Sequence, residues 1–161
     1  MIFIEPVPKT IHYEAVESGD IAQKLGLDAP SNEIPPCGSL PGGNYFAVAR
    51  SHKRKYYLYF TKEDYIAYFM NHYFSVKNTY KDREMRPYLI QYKGMPIEAL
   101  VKFPRLAAID TQPHEIICAV ISKLPHLKLV DMGLSGLFIC RRDEYYGIVA
   151  SMEELLAKLT L

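Results

Sequence analysis

The distribution of apolar and polar positions predicts a chain of short strands mixed with helices. Runs of β-branched and aromatic residues between Pro, Gly or Asn are typical of strands, and apolar residues three and four positions apart are typical of helices. Strands are predicted at residues 10–16, 44–49, 55–60, 87–92, 97–103, 127–132, 137–141 and 145–150. Helices are predicted at residues 20–25, 61–74, 113–124 and 152–159.

Capping residues and turn-forming residues divide the chain between these elements. Thr61 and Asp64 stand in a capping-box arrangement at the start of the second predicted helix, and Ser151 is expected to cap the last one. Residues 29–43 are rich in Pro, Gly, Ser and Asn and are predicted to form a long loop. The pattern indicates an α+β fold in a single domain spanning residues 1–161.

The composition narrows the function classes. Hydrophobic residues make up 49% of the chain and the net charge is +1, which is ordinary for a folded protein and does not favour general binding to polyanions. No apolar run approaches the ~20 residues that span a bilayer, so we expect a cytoplasmic protein with no membrane partner. The three cysteines, Cys37, Cys118 and Cys140, are not paired in sequence and predict no metal site.

Four segments of the sequence occur in an order that resembles a known family. They are IHYEAV, KLGLDAP, GGNYFAVARSHKRKYY and RRDEYYGIVAS, and they contain His12, Tyr45, Tyr56 and Glu144. His12 lies 33 positions before Tyr45, which lies 11 positions before Tyr56. In this order and spacing the chain resembles the H-Y-E class of ADP-ribosyltransferases, the class of diphtheria toxin and the poly(ADP-ribose) polymerases.

The resemblance implies a fold and a catalytic group. The fold would be ADP-ribosyltransferase-like, with two facing small β-sheets and flanking helices around a cleft that binds NAD⁺. Glu144 would be the catalytic carboxylate, because cleavage of the bond between nicotinamide and ribose develops positive charge that a carboxylate stabilises.

The resemblance also implies a set of cofactor-binding residues. Tyr45 and Tyr56 would stack on the two faces of the nicotinamide ring, and His12 would hydrogen-bond the adenosine ribose. The backbone of Tyr13 would hold the nicotinamide amide, together with the side chain of Ser51 or, as its rival, the neighbouring Lys53. The turn that contains Gly43 would approach the dinucleotide closely, because glycine has no Cβ.

Two further assignments have a rival in the sequence. Tyr57 competes with Tyr56 as the second stacking tyrosine, since the family places that residue on a helix whereas residues 55–60 have strand propensity. Glu98 competes with Glu144 as the catalytic carboxylate, since it also stands at the start of a predicted strand.

The expected reaction is transfer of ADP-ribose from NAD⁺ to an acceptor, with release of nicotinamide. The acceptor, whether protein, nucleic acid or small molecule, cannot be read from the residues. One alternative is a catalytically inactive domain on the same fold that binds NAD⁺, ADP-ribose or a protein. Another is an unrelated α+β interaction domain, because the chain has 13 tyrosines and tyrosine is enriched at protein interfaces.

Overall fold

A computed structural model of the chain describes residues 6–49 and 54–147, together with residues 152, 155–157 and 159. The described residues form two small antiparallel β-sheets, with most of the helices lying between them in the sequence. This architecture confirms the predicted α+β class. No helix among these residues is both long and apolar enough to cross a membrane.

The first sheet has four strands in the order β1-β4-β3-β2. Its strands are β1 Tyr13–Glu17, β2 Cys37–Leu40, β3 Asn44–Val48 and β4 Lys55–Tyr59. Three of them overlap predicted strands, and β4 confirms the strand propensity of residues 55–60. By contrast, β2 lies within the predicted loop. It forms because Gly42 and Gly43 adopt φ angles of 95° and 89°, which turn the chain back so that β2 pairs with β3.

All but one of the described α-helices follow the first sheet in the sequence; the exception is a short α-helix between β1 and β2. They are α1 Ile21–Lys24, α2 Lys62–Tyr73, α3 Val76–Lys81, α4 Arg86–Tyr92, α5 Ile97–Leu100, α6 Pro104–Ala107 and α7 Pro113–Lys123. The predictions of α2 and α7 are confirmed. As predicted, the Asp64 backbone N–H donates to the Thr61 hydroxyl at the start of α2, with an N–O distance of 3.1 Å.

The predicted strands at residues 87–92 and 97–103 are wrong, because these residues form α4 and α5. Pro87 occupies the first turn of α4, where its missing N–H costs nothing. Lys93 ends that helix in the left-handed region, with φ of 55°. Only Met95–Pro96 between the two helices pairs as a strand, β5.

The second sheet has the order β5-β7-β6, with β6 at Leu127–Asp131 and β7 at Leu137–Arg141. Both of these longer strands confirm predictions. The predicted strand at 145–150 is not formed where the structure describes it, because the Tyr145 N–H donates to the Asp143 carboxylate at 3.0 Å and the Gly147 N–H donates to the Thr79 hydroxyl at 2.8 Å, so neither pairs with a strand. The described residues from 152 to 159 are helical as predicted, whereas Ser151 lies outside the described residues.

The first sheet separates two hydrophobic clusters. The larger one is built from α2, α7, the second sheet and one face of the first sheet. The smaller one packs α1 against the other face, around Phe46 and Tyr56. Within the larger cluster, five tyrosine rings lie with centroids 4.7–5.8 Å apart. This tyrosine cluster consists of Tyr13, Tyr57, Tyr59, Tyr65 and Tyr68.

Candidate functional site

His12 is held at the start of β1 through its backbone. Its N–H donates to the Asp64 carboxylate at 2.9 Å, and the same carboxylate pairs with the Lys123 ammonium at 3.0 Å. The imidazole ring is exposed and lies 6.2 Å from the Phe60 ring, centroid to centroid. The position of His12 therefore ties β1 to the first turn of α2, while its ring remains accessible.

Asp64 is the centre of this junction and is only 1% exposed. Its burial raises the pKa of the carboxyl, but the hydrogen bonds from the His12 backbone, the Thr61 hydroxyl and Lys123 outweigh that effect. The pKa of Asp64 is consequently lowered. The Lys123 ammonium also donates to the Thr10 carbonyl at 2.8 Å, so one buried charge pair connects three elements.

Tyr45 and Tyr56 lie on opposite faces of the first sheet. Tyr45 pairs with Tyr59 across β3 and β4, and its ring packs against the larger cluster, 6.4 Å from the Tyr65 ring. Tyr56 belongs to the smaller cluster, where its hydroxyl donates to the Ile34 carbonyl at 3.1 Å. Since successive residues of a strand point to opposite faces, these two tyrosines do not enclose a common ring.

Tyr57, the rival of Tyr56, does share a face with Tyr45. Its ring lies 4.7 Å from the ring of Tyr13, which sits inside the tyrosine cluster instead of offering only its backbone. Gly43 lies in the exposed turn between β2 and β3, where an added Cβ would contact nothing within 4 Å. Ser51 and its rival Lys53 lie outside the described residues.

Glu144 stands in the turn that follows β7. Its φ is 55°, and its carboxylate is 3.9 Å from the Lys93 ammonium. The turn is fixed by Arg141, whose guanidinium makes two hydrogen bonds to Asp143 at 2.9 and 2.8 Å and lowers the pKa of that carboxyl. Glu144 is thereby held at the surface, with a cation already beside it.

The structure does not bring His12 and Glu144 together. Arg141 beside Glu144 donates to the Phe74 carbonyl, at the last turn of α2, whereas His12 is bound to Asp64, in its first turn. Ten residues of helix separate these two anchors by about 15 Å. The residues selected by spacing therefore lie at separate places on the fold.

A cavity of about 670 Å³ lies elsewhere, between α4, α5 and the second sheet. Tyr88 and Tyr92 stand one turn apart on α4 and line one wall, because residues four apart lie on the same side of a helix. The Tyr92 ring packs 4.8 Å from the ring of Phe138, which is 2% exposed. The cavity thus has a firmly packed aromatic wall.

The polar lining of this cavity carries charge of both signs. Glu84, Glu98 and Lys102 line it. In the part of the chain that the structure describes, neither glutamate has an ion-pair partner, unlike Glu144. The cavity therefore brings together Glu98, the rival catalytic carboxylate from the sequence, with Tyr88 and Tyr92. Neither tyrosine was among the residues selected from the sequence.

Comparison with known proteins gives no family for the chain. No protein-family model matches it, and neither a curated protein nor a solved structure is found to be similar. Among the described residues, no group of three or more His, Cys, Asp or Glu side chains could hold a metal ion.

Proposed function

We propose that this chain is a small-molecule-binding domain whose ligand lies in the cavity between α4, α5 and the second sheet. A volume of about 670 Å³ falls within the range of about 300–1,000 Å³ that is usual for ligand pockets. The observation that carries the proposal is the combination, in one cavity, of aromatic side chains with two carboxylates that have no ion-pair partner among the described residues.

These groups suit a flat ring that carries positive charge or hydroxyl groups. An aromatic face attracts a cation through its quadrupole, and Glu98 adds a charge-assisted hydrogen-bond acceptor. Lys102, which lines the same cavity, supplies a cation for a phosphate of such a ligand. NAD⁺ has all of these parts and is also the ligand that the sequence resemblance suggests, so it is the first ligand to test.

ADP-ribosyl transfer is the second candidate function. It is supported by the position of Glu98, the rival carboxylate, in the same cavity as two tyrosines. In this version Glu98 stabilises the developing charge on the ribose, and Glu144 has no catalytic part. The ADP-ribosyltransferase-like fold that the sequence resemblance implies belongs to this second candidate, as does an acceptor of unknown class.

Calorimetric titration with NAD⁺, with nicotinamide release measured in the same samples, tests both candidates. We expect NAD⁺ to bind and Tyr92→Leu to weaken binding about tenfold, since stacking on one aromatic ring contributes about 1–3 kcal/mol. Glu98→Gln should also weaken binding and should abolish any release of nicotinamide. Glu33→Gln, an exposed glutamate outside the cavity, is the matched control and should change neither quantity.

Two results would contradict the proposal. If NAD⁺, ADP-ribose and nicotinamide all fail to bind at millimolar concentration, the cavity does not take this class of ligand. If NAD⁺ binds but Glu144→Gln, and not Glu98→Gln, stops nicotinamide release, the site is the one selected by spacing and not the cavity.

A further inference from the structure

The first sheet has an open edge at β1. In the order β1-β4-β3-β2, β1 pairs with β4 on one side, and no described residue pairs with it on the other. An unpaired strand edge presents a row of N–H and C=O groups that can accept a further strand. The hydrogen-bond pattern of β1 shows which of its residues direct their N–H and C=O groups away from the sheet.

Alternate residues of β1 are bonded to β4. The Phe60 N–H donates to the His12 carbonyl at 3.2 Å, and the Ser18 N–H donates to the Arg54 carbonyl at 2.7 Å. In an antiparallel pair the bonded positions recur at every second residue, so the even-numbered residues of β1 face β4. Tyr13, Ala15 and Glu17 therefore direct their backbone groups away from the sheet.

An acidic groove with a volume of about 620 Å³ runs along this edge, between β1 and α1. Its charged lining residues are Glu14, Glu17, Asp20 and Lys24. Lys24 is 3.3 Å from Glu14 and Lys55 is 4.0 Å from Glu17, whereas Asp20 has no ion-pair partner among the described residues. Both ion pairs are about half exposed and therefore weak, and the groove beside the open edge keeps a net negative charge.

This charge decides between two kinds of occupant. A second copy of the chain, paired β1 to β1, would place two acidic grooves next to each other, and like charges across a strand pair are unfavourable. A strand with positive side chains meets complementary charge as well as free backbone groups. Glu14 and Val16 point toward α1, where they contact Lys24 and the smaller cluster, so every second residue of an added strand would face the groove.

We propose that the open edge of β1 binds an extended segment of a partner protein that carries Lys or Arg at alternate positions. The backbone of Tyr13, Ala15 and Glu17 supplies the hydrogen bonds, as in other cases of strand addition. The acidic groove supplies the preference for basic side chains. This surface is separate from the aromatic cavity, so it does not depend on the proposed ligand.

Amide hydrogen exchange, measured by NMR with a synthetic peptide, tests the proposal. The peptide alternates lysine with valine or threonine; a second peptide of the same composition has its lysines side by side. We expect the alternating peptide to slow exchange of the Ala15 and Glu17 amides by about tenfold or more, because they become hydrogen-bonded. The Glu14 and Val16 amides, already bonded to β4, should change little.

The opposite edge of the same sheet is the internal control. There the Val48 N–H donates to the Pro36 carbonyl at 2.7 Å, so Ser39 on β2 also directs its amide outward, and β2 itself contains no acidic residue. Its exchange should stay unchanged when the peptide is added. Equal protection of Ser39, equal effects of the two peptides, or no protection of Ala15 would each overturn the proposal.

Two variants separate the backbone contribution from the charge contribution. Ala15→Pro removes one outward N–H, and proline is tolerated on an edge strand; it should prevent peptide binding while circular dichroism stays native. Glu14→Lys combined with Glu17→Lys should weaken binding and remove most of its salt dependence. If slow exchange of Ala15 instead appears without peptide and grows with protein concentration, the edge pairs with a second copy and the proposal is wrong.

Discussion

At the scale of single residues, Asp64 joins three parts of the fold. It combines an N-cap contact to Thr61, a bond from the His12 backbone and a nearly buried ion pair with Lys123. The sequence predicted only the first of these, because a capping box is local whereas Lys123 lies 59 positions further along the chain. Residue-level chemistry that depends on such distant partners is not visible in a single sequence.

Replacing Asp64 should destabilise the fold strongly. We expect Asp64→Ala to lower the free energy of unfolding by about 3 kcal/mol, because removal of one partner leaves the other charge uncompensated in a mostly buried position. Urea denaturation measures this change. Glu14→Ala is the matched control, since its ion pair with Lys24 is about half exposed and such pairs contribute about 1 kcal/mol or less. If the two variants lose similar amounts of unfolding free energy, Asp64 does not stabilise the fold through a buried ion pair.

The same residue predicts how stability depends on acid. The pKa of Asp64 is lower in the folded state, so its stabilisation is complete above the unfolded pKa of about 3.9. It is then lost as the pH falls through the folded pKa. In Asp64→Asn the decline of stability below about pH 4 should be shallower than in the natural chain. An unchanged slope would show that Asp64 does not titrate with unfolding.

At the scale of secondary-structure elements, the sequence predicts the long or strongly patterned segments and fails at the short ones. The capping box of α2 and the proline start of α7 are local signals, and both helices form as predicted. Residues 87–103 carry β-branched and aromatic residues that favour strands, yet Pro87 and Lys93 enclose a helix. The aromatic cavity was missed for this reason, because its tyrosines converge only when α4 is helical.

The β5–β7 contact rests on a close approach at Gly94. A Cβ at this position would overlap the Cys140 Sγ and lie 2.8 Å from the Ile139 carbonyl oxygen. We expect Gly94→Ala to cost about 1–3 kcal/mol, the usual range for overpacking, as measured by thermal or urea unfolding. Gly19→Ala is the control, because nothing lies within 4 Å of its added Cβ. If the two variants are equally stable, the packing of β5 against β7 is looser than described.

At the scale of the whole molecule, strand register decides which predicted residues meet. Tyr45 and Tyr56 match the family spacing, but Val48 is the partner of Tyr56 across β3 and β4, and the two tyrosines consequently fall on opposite faces. Spacing along the chain contains no information on this register. Helix α2 likewise separates the surroundings of His12 and Glu144, an arrangement that depends on the packing of both sheets.

The tyrosine cluster gives the folded chain an optical signal of its own. Burial, together with neighbouring phenols, raises the pKa of Tyr59 above its ordinary value, so its neutral form stabilises the fold below the unfolded pKa of about 10. That stabilisation is lost as the pH rises beyond this value. In an alkaline titration, the phenols of Tyr13, Tyr59 and Tyr65, whose pKa values are all raised, should ionise last, and their phenolate absorbance should appear in one steep step together with loss of circular dichroism. If all phenols ionise gradually while circular dichroism stays native, the cluster is open to solvent. Because the chain has no tryptophan to mask this absorbance, the ultraviolet spectrum reports the unfolding of the protein directly.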